Sequence, residues 1–311
     1  MAPIPTPSPV AQRQEKGDVG HVFPYPPLRG GGTPGANVTL EKNAVNRPRG
    51  IILDLDGTVY RGEQLIPGAR ETIEWLRARG HPLVFVTNAI ETLAEHVDKL
   101  AGLGVPARPE EIINAPLVLI RHLSRMMPNA VVFPISDPPL IEQLAPHFRL
   151  SENPDEIDVV IASTDRAFDY RKLNIGFQAL KRGARFWATN ADPTWPQAGG
   201  EIPDVGAIIG ALKGCSKRKV EVVTGKPSHL VVEAALERLE RTAGECIIVG
   251  DSLASDIAMG RQAGMTTILV LTGVTQRADL DHAPMQPDHI LDSVAELPGL
   301  LGLEHQIHAP A

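Results

Sequence analysis

Two cysteines in 311 residues, Cys215 and Cys246, are too few and too far apart in sequence for a disulfide framework. Cys246 lies inside the apolar run Cys246-Ile247-Ile248-Val249, where a buried free thiol is the ordinary state. That use of cysteine fits a reducing cytoplasm. The chain also lacks any stretch approaching the ~18 consecutive apolar residues of a membrane span, and its amino terminus has neither the basic region nor the apolar core of a secretory signal. A cytoplasmic protein with no membrane partner is expected. A positive surplus is missing too: 37 acidic residues against 30 basic ones give a formal charge of −7, which disfavours a general nucleic-acid binder. Small anionic substrates stay open, because a local site can be positive on an acidic protein.

What is present is the composition of a globular protein, 43% hydrophobic and 22% charged, and enough length for two domains of about 100 to 200 residues. Residues 1–48 stand apart, with nine prolines and six glycines, a level that reads as a disordered extension. A docking tail, a regulatory arm, an overlong start or no specific role are all compatible with it. From Arg49 onward, strand, turn and helix alternate. Ile51–Asp54, Leu83–Val86, Cys246–Val249 and Thr267–Leu271 read as short apolar strands, and Ala69–Arg79 and Glu91–Leu103 as amphipathic helices stopped by Gly80 and Gly104. Such strands indicate parallel pairing with helices on both faces. The stretch 129–220 has α/β character of its own: Val131–Phe133, Val159–Ile161 and Phe186–Thr189 as strands, Arg171–Lys181 as a helix, Asn190–Gly200 as a turn-rich loop, and Val205–Leu212 as a helix entry. The expected architecture is a doubly wound parallel α/β sheet built from 49–128 and 221–311, with an α/β unit, 129–220, inserted between them.

The polar residues gather at strand ends. Asp54-Leu55-Asp56-Gly57-Thr58 follows Ile51-Ile52-Leu53, and side-chain alternation along a strand puts the two carboxylates on one face, where a shared cation would relieve their repulsion. A solvated Asp-rich turn explains Asp56-Gly57 but not a strand ending on Asp54. Thr87-Asn88 ends the next strand and can hold phosphate oxygens through its hydroxyl and N–H groups, although Thr-Asn is also a common turn. Lys226 stands in Thr224-Gly225-Lys226-Pro227-Ser228, either as an anion ligand or as a solvated charge; the nucleotide P-loop is ruled out, because Val220 occupies the position of its first glycine. Asp251, after Gly250, is placed to complete a metal site with the first pair. Asp256 either orients that site from behind or caps its own helix, Asp256–Ala263. None of the ten histidines has a partner pattern, and His229 is expected to begin a helix at the surface.

Taken in order, the acid pair, Thr-Asn, Lys and Gly-Asp resemble the haloacid dehalogenase (HAD) superfamily over roughly residues 49–300. The segments Asp54–Gly62, Ala188-Thr189-Asn190-Ala191-Asp192-Pro193 and Gly225-Lys226-Pro227-Ser228 are similar to those of its NagD-like phosphatases, the para-nitrophenylphosphatase and phosphoglycolate phosphatase group. The resemblance implies a Rossmann-like core, a large α/β cap, and hydrolysis of a small phosphomonoester. It further implies Asp54 as the nucleophile that becomes an aspartyl-phosphate, and Asp56 as acid and then base. Mg²⁺ would be held by the Asp54 carboxylate, the Asp56 backbone carbonyl and the Asp251 carboxylate, with Thr87, Asn88, Ala89 and Lys226 around the phosphate. Ala89 replaces the group's usual second asparagine, so a side-chain amide contact is lost there. In the cap, Asp192 can accept a hydrogen bond from the leaving group, and Trp195 can stack on it or pack in the cap core. Cap-to-cap homodimers are common in the group. Phosphoglycolate, glycerol phosphate, nucleoside monophosphates and pyridoxal phosphate all suit the motifs. A phospho-ligand binding protein with a weakened site and a phosphotransferase are the alternatives.

Overall fold

The computed structural model describes residues 49–197 and 200–307; the Pro/Gly-rich segment expected to be disordered, 1–48, lies outside the described residues. Six parallel strands form the larger sheet, in the spatial order His289–Leu291, Thr266–Val270, Cys246–Gly250, Gly50–Asp54, Leu83–Thr87 and Ile112–Asn114. The expected strands are all present, within a residue or so of their predicted bounds. Alternate residues of each strand feed two separate cores: Ile51, Leu53, Phe85, Ile247 and Val249 on one face, and Ile52, Val84, Val86, Cys246 and Ile248 on the other. Burial on both faces is why these strands carry unbroken apolar runs. Gly50–Asp54 is central, with Leu83–Thr87 on one side and Cys246–Gly250 on the other. The chain thus reverses its direction of travel across the sheet beside Asp54, and a crevice opens outside the carboxyl ends of the strands at such a switch point.

The helices follow local chemistry. Ala69–Ala78 buries Ala69, Thr72, Ile73 and Leu76. Leu93–Gly102 starts two residues later than the apolar spacing suggests, because Thr92 and Glu95 form a reciprocal capping box. His229 opens the exposed end of His229–Leu239, as expected, with Ser228 as its cap.

A second parallel sheet has the order Val222–Val223, Arg185–Ala188, Val159–Ala162, Val131–Ile135 and Arg149–Leu150. It too is covered on both faces, and Ala115–Met126 packs Leu119 and Leu123 against it beside Trp187. Two details depart from the sequence reading. Val222–Val223, expected beyond the inserted unit, pairs with Trp187 and Ala188 in this sheet. The expected loop 190–200 contains an arm of a two-stranded hairpin, Thr194–Gln197 against Gly200–Pro203, in which backbone pairing supplies the order that its turn-forming composition hides. Because Val222–Val223 is parallel to Arg185–Ala188, its carboxyl end delivers the chain directly to Lys226 at the carboxyl edge of the larger sheet.

Candidate active site

Asp54 is the last residue of its strand and only 5% exposed. Lys226 donates from Nζ to Asp54 Oδ1, and also to Asp256 Oδ1 at 2.7 Å. Asp251, one residue past Cys246–Gly250, completes the group: oxygens of Asp54, Asp251 and Asp256 all lie within 4.8 Å of one another, and all three residues are buried. Burial raises the Asp54 carboxyl well above the usual range, against the pull of Lys226, with Asp256 and Asp251 adding to the rise. Asp251 is pushed up to about 6, by burial first and by Asp256 second. Burial opposes the Lys226 ammonium, but Asp256 and Asp54 more than offset it, so the lysine stays charged. Three buried carboxylates around one ammonium leave an excess of negative charge. An all-oxygen donor set with that excess fits a hard divalent cation.

This corrects two expectations. The cluster partners of Asp54 are Asp251 and Asp256, whereas the Asp56 carboxylate stays outside it: the strand ends at Asp54, and alternation does not carry through the turn that follows. Asp256 is not a helix cap. It lies in a π-helical turn, Leu253–Ile257, whose cap is Ser252, and its carboxylate joins the cluster directly.

The turn after Asp54 is tight. Val59 N–H donates to the Leu55 carbonyl at 2.8 Å and Gly57 N–H to the Tyr60 carbonyl at 2.7 Å. Gly57 has φ +91°, and a Cβ there would lie 2.5 Å from Asp251 Oδ2, so both conformation and space require glycine. The turn leaves Asp56 exposed beside the cluster. Partial desolvation raises its carboxyl, with Lys99, the Gly62 N–H and Arg61 pulling the other way. The Thr58 hydroxyl is buried with no hydrogen-bond partner among the described residues.

Thr87 ends Leu83–Thr87 and accepts from Ala89 N–H at 3.1 Å. Asn88 Oδ1 accepts from Lys226 N–H at 2.8 Å, and its Nδ2 donates to Asp192 Oδ2 at 3.0 Å. The structure therefore brings Asp54, Asp251, Asp256, Lys226, Asn88 and Asp192 into one contact network, with Asp56, Thr87 and Ala89 on adjoining turns. Trp195 sits on the hairpin arm opposite Ile202, half-buried. Sequence reasoning missed the segment after Thr266–Val270. There the Thr272 hydroxyl donates to the Gly57 carbonyl at 2.5 Å, and Val274 N–H to Asp251 Oδ2 at 2.5 Å. A strand ending on Thr272-Gly273 at the same edge was the available signal.

Comparison with known proteins accounts for this arrangement. Residues 51–147 match the haloacid dehalogenase-like hydrolase model, and residues 223–297 match a second, HAD-hydrolase-like model. The sugar-phosphatase AraL of Bacillus subtilis is 38% identical over 252 residues, spanning 80% of this chain and 92% of that one. The chain belongs to the haloacid dehalogenase-like hydrolases. The first model spans Asp54 to Asn88 and the second Lys226 to Asp251, so the family match covers both halves of the cluster. The 5'-nucleotidase YutF of Bacillus subtilis is 34% identical over 80% of this chain and 96% of its own. Among solved structures, a p-nitrophenyl phosphatase from Archaeoglobus fulgidus superposes with a TM-score of 0.77 at 32% identity, covering 81% of this chain and 99% of that one. NagD from E. coli K-12 does so at 0.73 and 31%, covering 80% and 98%. These place the hydrolase in the NagD-like phosphatase group of the family.

Proposed function

We propose that this hydrolase is a Mg²⁺-dependent phosphatase acting on a small phosphomonoester, with residues 129–223 serving as its cap. The observation that carries this reading is the buried cluster of Asp54, Asp251 and Asp256 around Lys226 at the switch point of the sheet. The Asp54 and Asp251 carboxylates and the Asp56 backbone carbonyl would hold the ion, with Asp256 beside them. When bound it supplies the positive charge that lets a phosphate dianion approach a carboxylate.

Asp54 Oδ attacks phosphorus as the bond to the leaving oxygen breaks, and Asp56 protonates that oxygen. Asp56, now a carboxylate, takes a proton from water, whose oxygen attacks the aspartyl-phosphate and frees Asp54. The raised Asp56 carboxyl and its exposure suit both proton transfers. Lys226 and the N–H groups after Thr87 neutralise the transferring phosphoryl oxygens. Asp192 and Trp195 bound the leaving group from the cap. The relatives are named as sugar phosphatase, 5'-nucleotidase and p-nitrophenyl phosphatase, which favours a sugar or nucleoside monophosphate. The free thiols and the acidic chain suit a cytoplasmic enzyme.

Steady-state phosphate release from para-nitrophenyl phosphate and a panel of sugar and nucleoside phosphates, with and without Mg²⁺, tests this. Turnover that needs Mg²⁺ and falls by about 10⁴-fold or more in a folded Asp54→Asn protein is expected. Full activity in that variant, or none in the wild type, overturns it.

A further inference from the structure

Besides the backbone bonds of the 222–225 segment, one side chain links the cap to the lysine. Asn88 lies just past the edge of the larger sheet, and its amide is used from both ends. Its Oδ1 accepts from the Lys226 N–H at 2.8 Å, while Nδ2 donates to Asp192 Oδ2 at 3.0 Å and lies 3.4 Å from the Lys226 carbonyl. That orientation is the one the neighbours dictate: a backbone N–H needs an oxygen and a carboxylate needs a donor, so a flipped amide would break both bonds.

Both partners are tightly placed. Asp192 is fixed in the smaller unit through its own backbone, its N–H donating to Asn190 Oδ1 at 3.0 Å and its carbonyl accepting from Gly206 N–H at 2.9 Å. Lys226 follows Gly225, whose N–H donates to the Thr189 carbonyl at 2.6 Å. A Cβ on Gly225 would lie 2.4 Å from that carbonyl and 2.5 Å from Asn88 Oδ1, so this junction closes only around glycine. The Lys226 ammonium in turn bonds Asp54 and Asp256. A continuous path of hydrogen bonds therefore runs from Asp192 in the cap, through Asn88, to Lys226 and the acidic cluster.

We propose that Asn88 is a positioning residue that couples cap closure to the seating of Lys226, with Asp192 as the cap's half of the latch. The kinetic consequence rests on the phosphatase reading above; the structural coupling does not. A cap that swings away takes Asp192 from Asn88, and the Lys226 backbone loses part of its support at that moment. Lysine-assisted charge neutralisation is thereby tied to the closed enzyme, in which water is excluded. Asp192 then influences turnover through Asn88 rather than through the leaving group alone.

The test is hydrogen exchange, read by mass spectrometry over residues 222–228, combined with kinetics on the full-length protein. Asp192→Ala is expected to speed exchange at the Lys226 amide by about tenfold, the scale of one hydrogen bond. Asp192→Asn, whose side-chain oxygen still accepts from Asn88, is expected to restore most of the protection. On para-nitrophenyl phosphate and on a sugar phosphate, Asp192→Ala lowers kcat by a similar factor. If Asp192→Ala does not fold, Asn88→Asp replaces it: that variant still accepts from Lys226 but sets a carboxylate against Asp192, and it should speed exchange over 189–195. Wild-type exchange in these variants, with losses confined to KM and dependent on the leaving group, overturns the coupling. If the wild type turns over neither substrate, the phosphatase reading fails and the exchange result alone decides the latch.

Discussion

Lys226 Nζ lies 2.7 Å from Asp256 Oδ1, although the two residues are 30 apart in sequence and both are almost completely buried. The same ammonium bonds Asp54. Among the described residues Lys226 is thus the one cation bonded within this group of three carboxylates, and removing it leaves them facing one another without compensation. Lys226→Met is expected to lower stability by about 3–5 kcal/mol, the scale for breaking a buried ion pair. Urea denaturation without Mg²⁺ measures it; a loss under about 1 kcal/mol would show that the pairing is not structural.

The opposite sign is expected at Asp251. Its carboxylate is held against two others within 4.8 Å, and Val274 N–H donates to its Oδ2. An asparagine keeps that acceptor while removing one of the crowded charges. Asp251→Asn should therefore stabilise the ion-free protein by about 1–2 kcal/mol, as removal of functional strain commonly does. Wild type should in turn gain melting temperature steadily as Mg²⁺ is added, since a ligand that binds the folded state stabilises it by mass action. The variant should lose that response, and calorimetry with and without the ion compares them.

Gly57 ties backbone geometry to the same carboxylate. Alanine there has to adopt φ +91° and place its Cβ 2.5 Å from Asp251 Oδ2. Backbone strain alone is worth about 1–3 kcal/mol, and the steric conflict moves Asp251 away from its partners. Gly57→Ala should lower both stability and Mg²⁺ affinity, the latter by about ten- to hundredfold. A titration followed by turnover or calorimetry distinguishes this from a purely global loss, in which affinity per folded molecule is unchanged.

The contrast between Asp251 and Asp256 shows what the sequence could carry. Asp54, Thr87 and Asp251 are legible because a fully apolar strand that ends on a polar residue announces a sheet edge, and parallel order brings such edges together. Asp256 is ambiguous for the same kind of reason: helix-start chemistry permits a cap, and nothing local reveals that its carboxylate reaches Lys226. Val222–Val223 is too short to show a period, and the hairpin at Thr194–Gln197 has proline and glycine where alternation would be looked for. The Asn88 contacts span 104 and 138 residues and were not readable from either end. Motif residues were visible as chemistry; the links between them required the fold.

His96 carries a pH dependence separate from the acidic cluster. It is 3% exposed on Leu93–Gly102, and its Nε2 is buried without a hydrogen-bond partner among the described residues. Burial lowers its pKa below the ordinary value of about 6.5, against a rise from Glu91, with Lys99 adding to the fall. Between that lowered value and about 6.5 the unfolded chain binds a proton that the folded one refuses, so stability falls as pH drops through the window. The slope cannot exceed about 1.4 kcal/mol per pH unit for one group. The buried carboxylates have raised pKa values and act in the opposite sense, which makes the comparison with a variant decisive. The stability of His96→Gln, taken from urea unfolding between about pH 5 and 8, should decline less on acidification than that of the wild type. Parallel curves would mean that His96 takes up its proton in the folded protein, and that the pocket around Nε2 accommodates the charge.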